Sequence, residues 1–147
     1  MTVLLDSGPL AQLTNPKLPT ATVSILRWVQ EMRSAGHSFL IPAIADYEVR
    51  RELERANKTA GIAVLDSLSY LYLPLTDSVL RHASKLWARA RNAGTPPADP
   101  KELDGGVLIA AQAIDLGIPT SDLIVATTDV GHLAQFVPCD LWTQIKP

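Results

Sequence analysis

The sequence holds one cysteine, Cys139, in 147 residues. It can form no intramolecular disulfide and build no cysteine-rich zinc site. The three histidines, His37, His82 and His132, have no metal-binding spacing among themselves. Aromatic residues are only 5% of the chain. No apolar run approaches the ~20 residues that cross a membrane. The first residues, Met1-Thr2-Val3-Leu4-Leu5-Asp6, carry no basic stretch and soon meet an acid, so no signal peptide is expected and a cytoplasmic location fits. There is no glycine-rich phosphate loop, which argues against a nucleotide-binding domain. There is no G-x-S-x-G elbow either, which argues against a Ser-His-Asp hydrolase.

What is present fits one globular domain over residues 1–147, with 47% hydrophobic and 19% charged residues and enough length to bury a core. The net charge of −2 argues weakly against nucleic-acid binding, but the charge is unevenly spread. Residues 50–101 hold nine basic and five acidic side chains, so that segment is +4 and the remainder −6. A basic segment beside an acidic site suits a phosphate-backbone substrate, whereas charged helix faces can also be merely solvated.

Strand and helix signals alternate along the chain. Val3-Leu4-Leu5 reads as a buried strand, and Ser7-Gly8-Pro9 can start a helix. A second helix is expected over residues 20–35, with Val23, Leu26, Trp28, Val29 and Met32 at roughly helical spacing and Gly36 as its C-cap. Residues 38–41 read as a strand, Pro42 opens a helix to about residue 57, and residues 61–69 form another helical stretch. The alternating residues 70–75 predict a third strand, and Thr76 or Asp77 caps a helix to about residue 92. Residues 102–116 read as a helix, 123–126 as a buried strand and 141–145 as an edge strand. Such alternation favours an α/β fold, a three-layer α/β/α sandwich with a central, mainly parallel sheet.

Four acids sit where a strand ends or a helix begins: Asp6, Glu48, Asp104 and Asp129. Ligands of open α/β sheets bind at the carboxyl ends of the strands, so these acids can converge in one crevice. Clustered carboxylates repel unless a cation or proton compensates, and hard divalent ions choose oxygen ligands. The pattern therefore points to Mg²⁺ or Mn²⁺ and to phosphoryl chemistry.

Leu4-Leu5-Asp6-Ser7, Asp46-Tyr47-Glu48-Val49-Arg50-Arg51-Glu52-Leu53, Val107-Leu108-Ile109-Ala110-Ala111-Gln112-Ala113 and Ala126-Thr127-Thr128-Asp129-Val130-Gly131-His132-Leu133 occur in an order and spacing that resembles the PIN-domain family. Each motif is weak alone, but the ordered set runs nearly end to end. The resemblance implies a PIN-like α/β/α sandwich and a metal-dependent ribonuclease like the VapC-type toxins of toxin–antitoxin pairs. Those toxins act on structured RNA and are held inactive by a small partner protein.

Carried over by position, Asp6, Glu48 and Asp129 match three of the family's acids. The family's remaining acid stands four residues before the Ala110-Ala111 pair, where this chain has Gly106. Asp104 lies two residues upstream, which on a helix turns a side chain by roughly 200°. Asp104 can still reach the site if it precedes the helix as an N-cap, where its direction differs. Otherwise the site has three acids, or the chain is a non-catalytic relative that binds RNA or a protein. Asp6, Asp104 and Asp129 are the expected metal ligands, with Glu48 ligating the ion or orienting water. Ser7, Thr127 and Thr128 are expected to support them, and Arg50, Arg51 and Arg55 to meet RNA phosphate. A homodimer is also expected, through apolar residues around Leu18, Trp28 and Met32.

Overall fold

A computed structural model of the chain describes residues 1–15, 20–94, 100–131 and 133–147, excluding the side chains of 100–103. Leu18, Asp99 and His132 lie outside the described residues.

Strand β1 (Thr2–Leu5) pairs in parallel with both β2 (Ser38–Pro42) and β4 (Leu123–Thr127). Strand β3 (Tyr72–Leu73) pairs with β2, and β5 (Cys139–Leu141) with β4. The order is β3-β2-β1-β4-β5, and every pairing is parallel. The helices are α1 (Ser7–Leu13), α2 (Thr20–Ser34), α3 (Ala43–Arg55), α4 (Thr59–Ser67), α5 (Asp77–Asn92) and α6 (Pro100–Asp115).

Strand side chains alternate between faces, and both faces here are apolar. Val3 and Leu5 join Phe39, Ile41 and Ala126 in a core beneath α1–α4, with Leu10, Ile25, Met32, Val49 and Leu65. Leu4 faces the other way and joins Val125, with Val79, Leu86, Val107 and Ile109 from α5 and α6. Two cores on opposite faces of one sheet make the expected three-layer sandwich. The basic run of residues 50–101 is thereby split. Arg51, Arg55 and Lys58 lie on the α1–α4 side, and Arg81, Lys85, Arg89 and Arg91 sit on α5, across the sheet. No helix among the described residues is long and apolar enough to cross a membrane.

Three local expectations change. Trp28 and Met32 are not a dimer surface, because they are only 7% and 0% exposed. The inward stripe of α2 is Thr22, Ile25, Trp28 and Met32, which leaves Val23 and Leu26 outside. The third strand shrinks to Tyr72–Leu73, after a 3₁₀ turn over Ser69–Leu71. Pro74 has no N–H to extend the ladder, and Gln112 Nε2 donates to the carbonyls of Leu73 (2.8 Å) and Pro74 (3.2 Å). The last strand comes earlier than residues 141–145, because the chain leaves the sheet after Leu141 and buries Ile145 against α2.

Trp28 organises that closing segment. Its Nε1–H donates to the Ile145 carbonyl at 2.9 Å, and its ring meets Phe39 edge-on at 5.5 Å and Trp142 at 5.6 Å. Replacing Trp28 with Ala removes this packing and orphans a buried carbonyl. Urea unfolding is expected to show a loss of about 3–5 kcal/mol.

Candidate active site

The strand order reverses between β1 and β4, so a crevice opens at their carboxyl ends. Leu5 pairs with Ala126, and the Asp6 N–H donates to the Ala126 carbonyl at 3.0 Å. Asp6 therefore lies beside Thr127. It is also the N-cap of α1: its Oδ1 accepts from the Ser7 N–H at 2.7 Å, and the Ser7 hydroxyl lies 3.4 Å away. Its Oδ2 accepts from the Thr127 hydroxyl at 2.6 Å.

That hydroxyl also shapes the loop after β4. Thr127 is 1% exposed, and its Oγ1 accepts from the Asp129 N–H at 3.1 Å while lying 3.0 Å from the Asp129 carbonyl. Asp129 is exposed at the mouth, and its Oδ1 accepts from the N–H of Gly131 at 3.0 Å. One buried hydroxyl thus couples the carboxylate ending β1 to the turn that carries Asp129.

Glu48 enters from α3. Burial pushes its carboxyl above the usual glutamate range, and the charge of Asp6 adds to this. A hydrogen bond from the Ser7 side chain and the charge of Arg51 pull the other way. Asp6, Ser7, Glu48, Arg51, Asp129 and the glycine pair Gly105-Gly106 line one crevice of about 420 Å³.

Asp104 is elsewhere. Helix α6 starts at Pro100, so Asp104 lies inside it and is not its N-cap. Asp104, Val107 and Leu108 share a stripe against Leu80, Ala83 and Trp87 of α5, whereas Gly105, Gly106 and Ile109 share the stripe facing the crevice. The helical period separates the two stripes. Thr128 is not among the crevice-lining residues; it lies over Gly8, where any Cβ would collide with its side chain.

The arginines divide by partner. Arg50 is occupied: its Nε donates to Asp46 at 2.9 Å and a terminal nitrogen to Asp66 at 2.8 Å, and both raise its pKa. Arg55 pairs with Glu52 at 2.9 Å in the open, a contact solvent makes weak. Arg51 stacks over Tyr47 at 5.3 Å and borders both the acidic crevice and a second groove of about 530 Å³ between α1 and α3. Arg55 and Lys58 line that groove too.

Gly8, Gly105 and Lys58 have no expected role at the site from sequence. The available signal for Gly105 was a Gly-Gly pair inside a helix, where each glycine costs about 1 kcal/mol relative to alanine. A Cβ at Gly105 would stand 2.8 Å from Glu48 Oε1, so the bare backbone there makes room for that carboxylate.

The donor chemistry suits a hard divalent cation, since Asp6, Glu48 and Asp129 offer only oxygen. Their convergence is incomplete. Among the described residues, no three His, Cys, Asp or Glu side chains group closely enough to hold an ion.

No protein-family model and no curated protein matches this chain. Solved structures match it in fold. VapBC-1 from nontypeable Haemophilus influenzae aligns with a TM-score of 0.67 at 17% identity, over 98% of this chain and 100% of that one. VapBC2 from Rickettsia felis, bound to a DNA fragment from their promoter, aligns at 0.69 and 13% identity, over 97% and 99%. FitAcB from Neisseria gonorrhoeae aligns at 0.65 and 18% identity, again over 97% and 99%. At such identities the likeness establishes the fold.

The raised Glu48 pKa has a stability consequence. The folded state binds this proton more tightly than the unfolded chain, so ionising Glu48 lowers stability as pH rises through its folded pKa. Glu48→Gln, in EDTA, is therefore expected to melt higher than the wild type at pH 7 and at the same temperature near pH 3. Equal melting at both values would remove the burial argument.

Proposed function

We infer that this protein is a Mg²⁺- or Mn²⁺-dependent ribonuclease that hydrolyses RNA phosphodiester bonds, and that it is the toxin of a toxin–antitoxin pair. The observation that carries the reading is that Asp6, just after β1, Glu48, on α3, and Asp129, just after β4, line one crevice at the strand ends. The fold shared with VapBC and FitAcB structures supports it, as do the ordered motifs of the sequence. On the same reading a small protein partner covers the site when the toxin is silent.

Asp6 and Asp129 would hold a divalent ion here, and its chemistry would be to polarise a phosphate oxygen and make an attacking water more acidic. The protein's own groups do the rest. Ser7 N–H and the Thr127 hydroxyl fix Asp6 in one orientation. Thr127 and Gly131 fix the Asp129 turn. Glu48, made more basic by burial, is suited to accept the proton of the attacking water. Arg51 offers a guanidinium at the crevice rim, and the groove continuing past Arg55 and Lys58 gives the RNA backbone a path away from the cut.

A second reading is a non-catalytic relative that binds RNA or a protein. The acid-free wall of α6 at Gly105 and Gly106 favours it.

Cleavage of mixed folded RNA by the pure protein separates the two. The first reading expects cutting with Mn²⁺, none in EDTA, and a loss of roughly 10²-fold in Asp6→Asn. No cutting by folded protein free of any co-purified partner selects the second. Arg51→Ala is expected to weaken RNA binding regardless of sequence and to reduce the slope of log K against log salt by about one. The same change at Arg50, already held by two aspartates, is expected to leave that slope unchanged while lowering the melting temperature.

A further inference from the structure

The crevice has a neighbour across one helix. Gly105, Gly106 and Ile109 of α6 wall the crevice. Asp104, Val107 and Leu108, on the same turns, wall a groove of about 450 Å³ whose other side includes Leu80 and Trp87 of α5. The two helices run antiparallel, since Ser78 and His82, early in α5, bond to Asp115 at the end of α6. The later half of α5 therefore lies beside the start of α6, where the crevice wall is. A nucleic-acid strand leaving the crevice reaches the groove by crossing one helix, about 10 Å wide.

The groove combines an apolar shelf with unpaired cations. Leu80 is 48% exposed, Trp87 is half-buried, and the Arg91 guanidinium lies over the Trp87 ring at 5.3 Å. On the same helix Arg81, Lys85 and Arg89 recur at every fourth residue, all exposed and about 6 Å apart along the axis. Among the described residues none of these three, nor Arg91, forms an ion pair, whereas Arg50 and Arg55 do. Free cations beside an apolar, aromatic shelf fit a polyanion that carries flat rings, which is single-stranded nucleic acid. An acidic protein segment would satisfy the cations but would meet the Asp104 carboxylate in the groove. A base edge offers amino groups from which that carboxylate accepts.

We propose that the α5–α6 groove is a nucleobase-binding subsite for single-stranded RNA, in which a base beyond the crevice stacks on Trp87 and Arg91 while Lys85 and Arg89 hold the adjoining phosphates. This rests on the ribonuclease reading above for the identity of the ligand. Asp104 repels phosphate and accepts only from donors, so it turns the base inward and the backbone outward. The RNA is then held on both sides of the crevice, past Arg55 and Lys58 in one direction and past Trp87 in the other. Holding both flanks positions the phosphate between them.

The test measures binding in EDTA, so that no strand is cut. A fluorescent single-stranded RNA long enough to span crevice and groove is titrated with the wild type, with Trp87→Leu and with the double variant Lys85→Gln/Arg89→Gln. The same strand made abasic, with its phosphates intact, is titrated beside it. The wild type is expected to bind the abasic strand at least roughly tenfold more weakly. Trp87→Leu is expected to lose roughly tenfold on the normal strand and nothing further on the abasic one, because both changes delete the same stack. The double glutamine variant is expected to lower the slope of log K against log salt by about 1.4, as for two phosphate contacts on a single strand. If the variants bind both strands as the wild type does while Arg51→Ala weakens binding, the subsite is wrong and the ribonuclease reading stands. The subsite is equally overturned if polyglutamate of matched charge competes as well as RNA, or if Trp87→Leu turns a sedimenting dimer into a monomer with RNA affinity unchanged. If the binding results hold but Mn²⁺ brings no cleavage, the ribonuclease reading falls and the subsite stands. If folded wild-type protein binds no RNA, both fall. The double glutamine variant changes only exposed side chains, so it and the abasic strand decide the matter even if Trp87→Leu does not fold.

Discussion

The parallel pairing of β1 with β4 is the constraint on which the rest of the molecule depends. Its register sets Leu5 against Ala126 and so brings Asp6 beside Thr127, residues 121 positions apart in the chain. A slip of one residue would turn Val3 and Leu5 out of the α1–α4 core and Leu4 out of the other, so two buried faces oppose it. The same pairing makes β1 the central strand, from which the chain builds one half of the sheet before crossing to the other. The crevice is a product of that reversal, and its depth comes from α3 and α6 closing over it.

Bringing carboxylates together has an electrostatic cost, and the structure answers it with small dipoles and one nearby cation. Asp6 caps a helix N-terminus, with a backbone N–H and two hydroxyls near its oxygens. Hydrogen bonds to a charged acceptor are each worth about 1.5–3 kcal/mol. Glu48 is the group left with burial not fully offset, and its raised pKa records that. An acid held this way is suited to proton transfer, and its presence beside a bare glycine wall links the chemistry of the site to the packing of α6.

Much of this was legible in the chain. Unbroken apolar runs at residues 3–5 and 123–126 gave buried parallel strands, because only a sheet covered on both faces needs them. An acid at the end of each strand run, with Glu48 one helical turn into α3, pointed to the crevice because strand ends converge there. Thr127 could be suspected only from its nearness to Asp129. Its bond to Asp6 is a long-range contact that no local pattern encodes.

The sequence by itself determined the alternation of elements, the two-faced burial of the central strands and the supply of Asp6, Glu48 and Asp129 to one edge, since each follows from local periodicity and from the chirality of strand and helix connections. Tertiary structure alone decided the facing of Asp104, which turned on where α6 begins, four residues before it. It decided that Trp28 closes a core and forms no dimer face, because only a distant carbonyl at Ile145 satisfies its ring nitrogen. It also decided which arginine faces the crevice. Arg50 and Arg51 are neighbours in sequence but point about 100° apart on a helix. One finds Asp46 and Asp66, and the other finds the crevice.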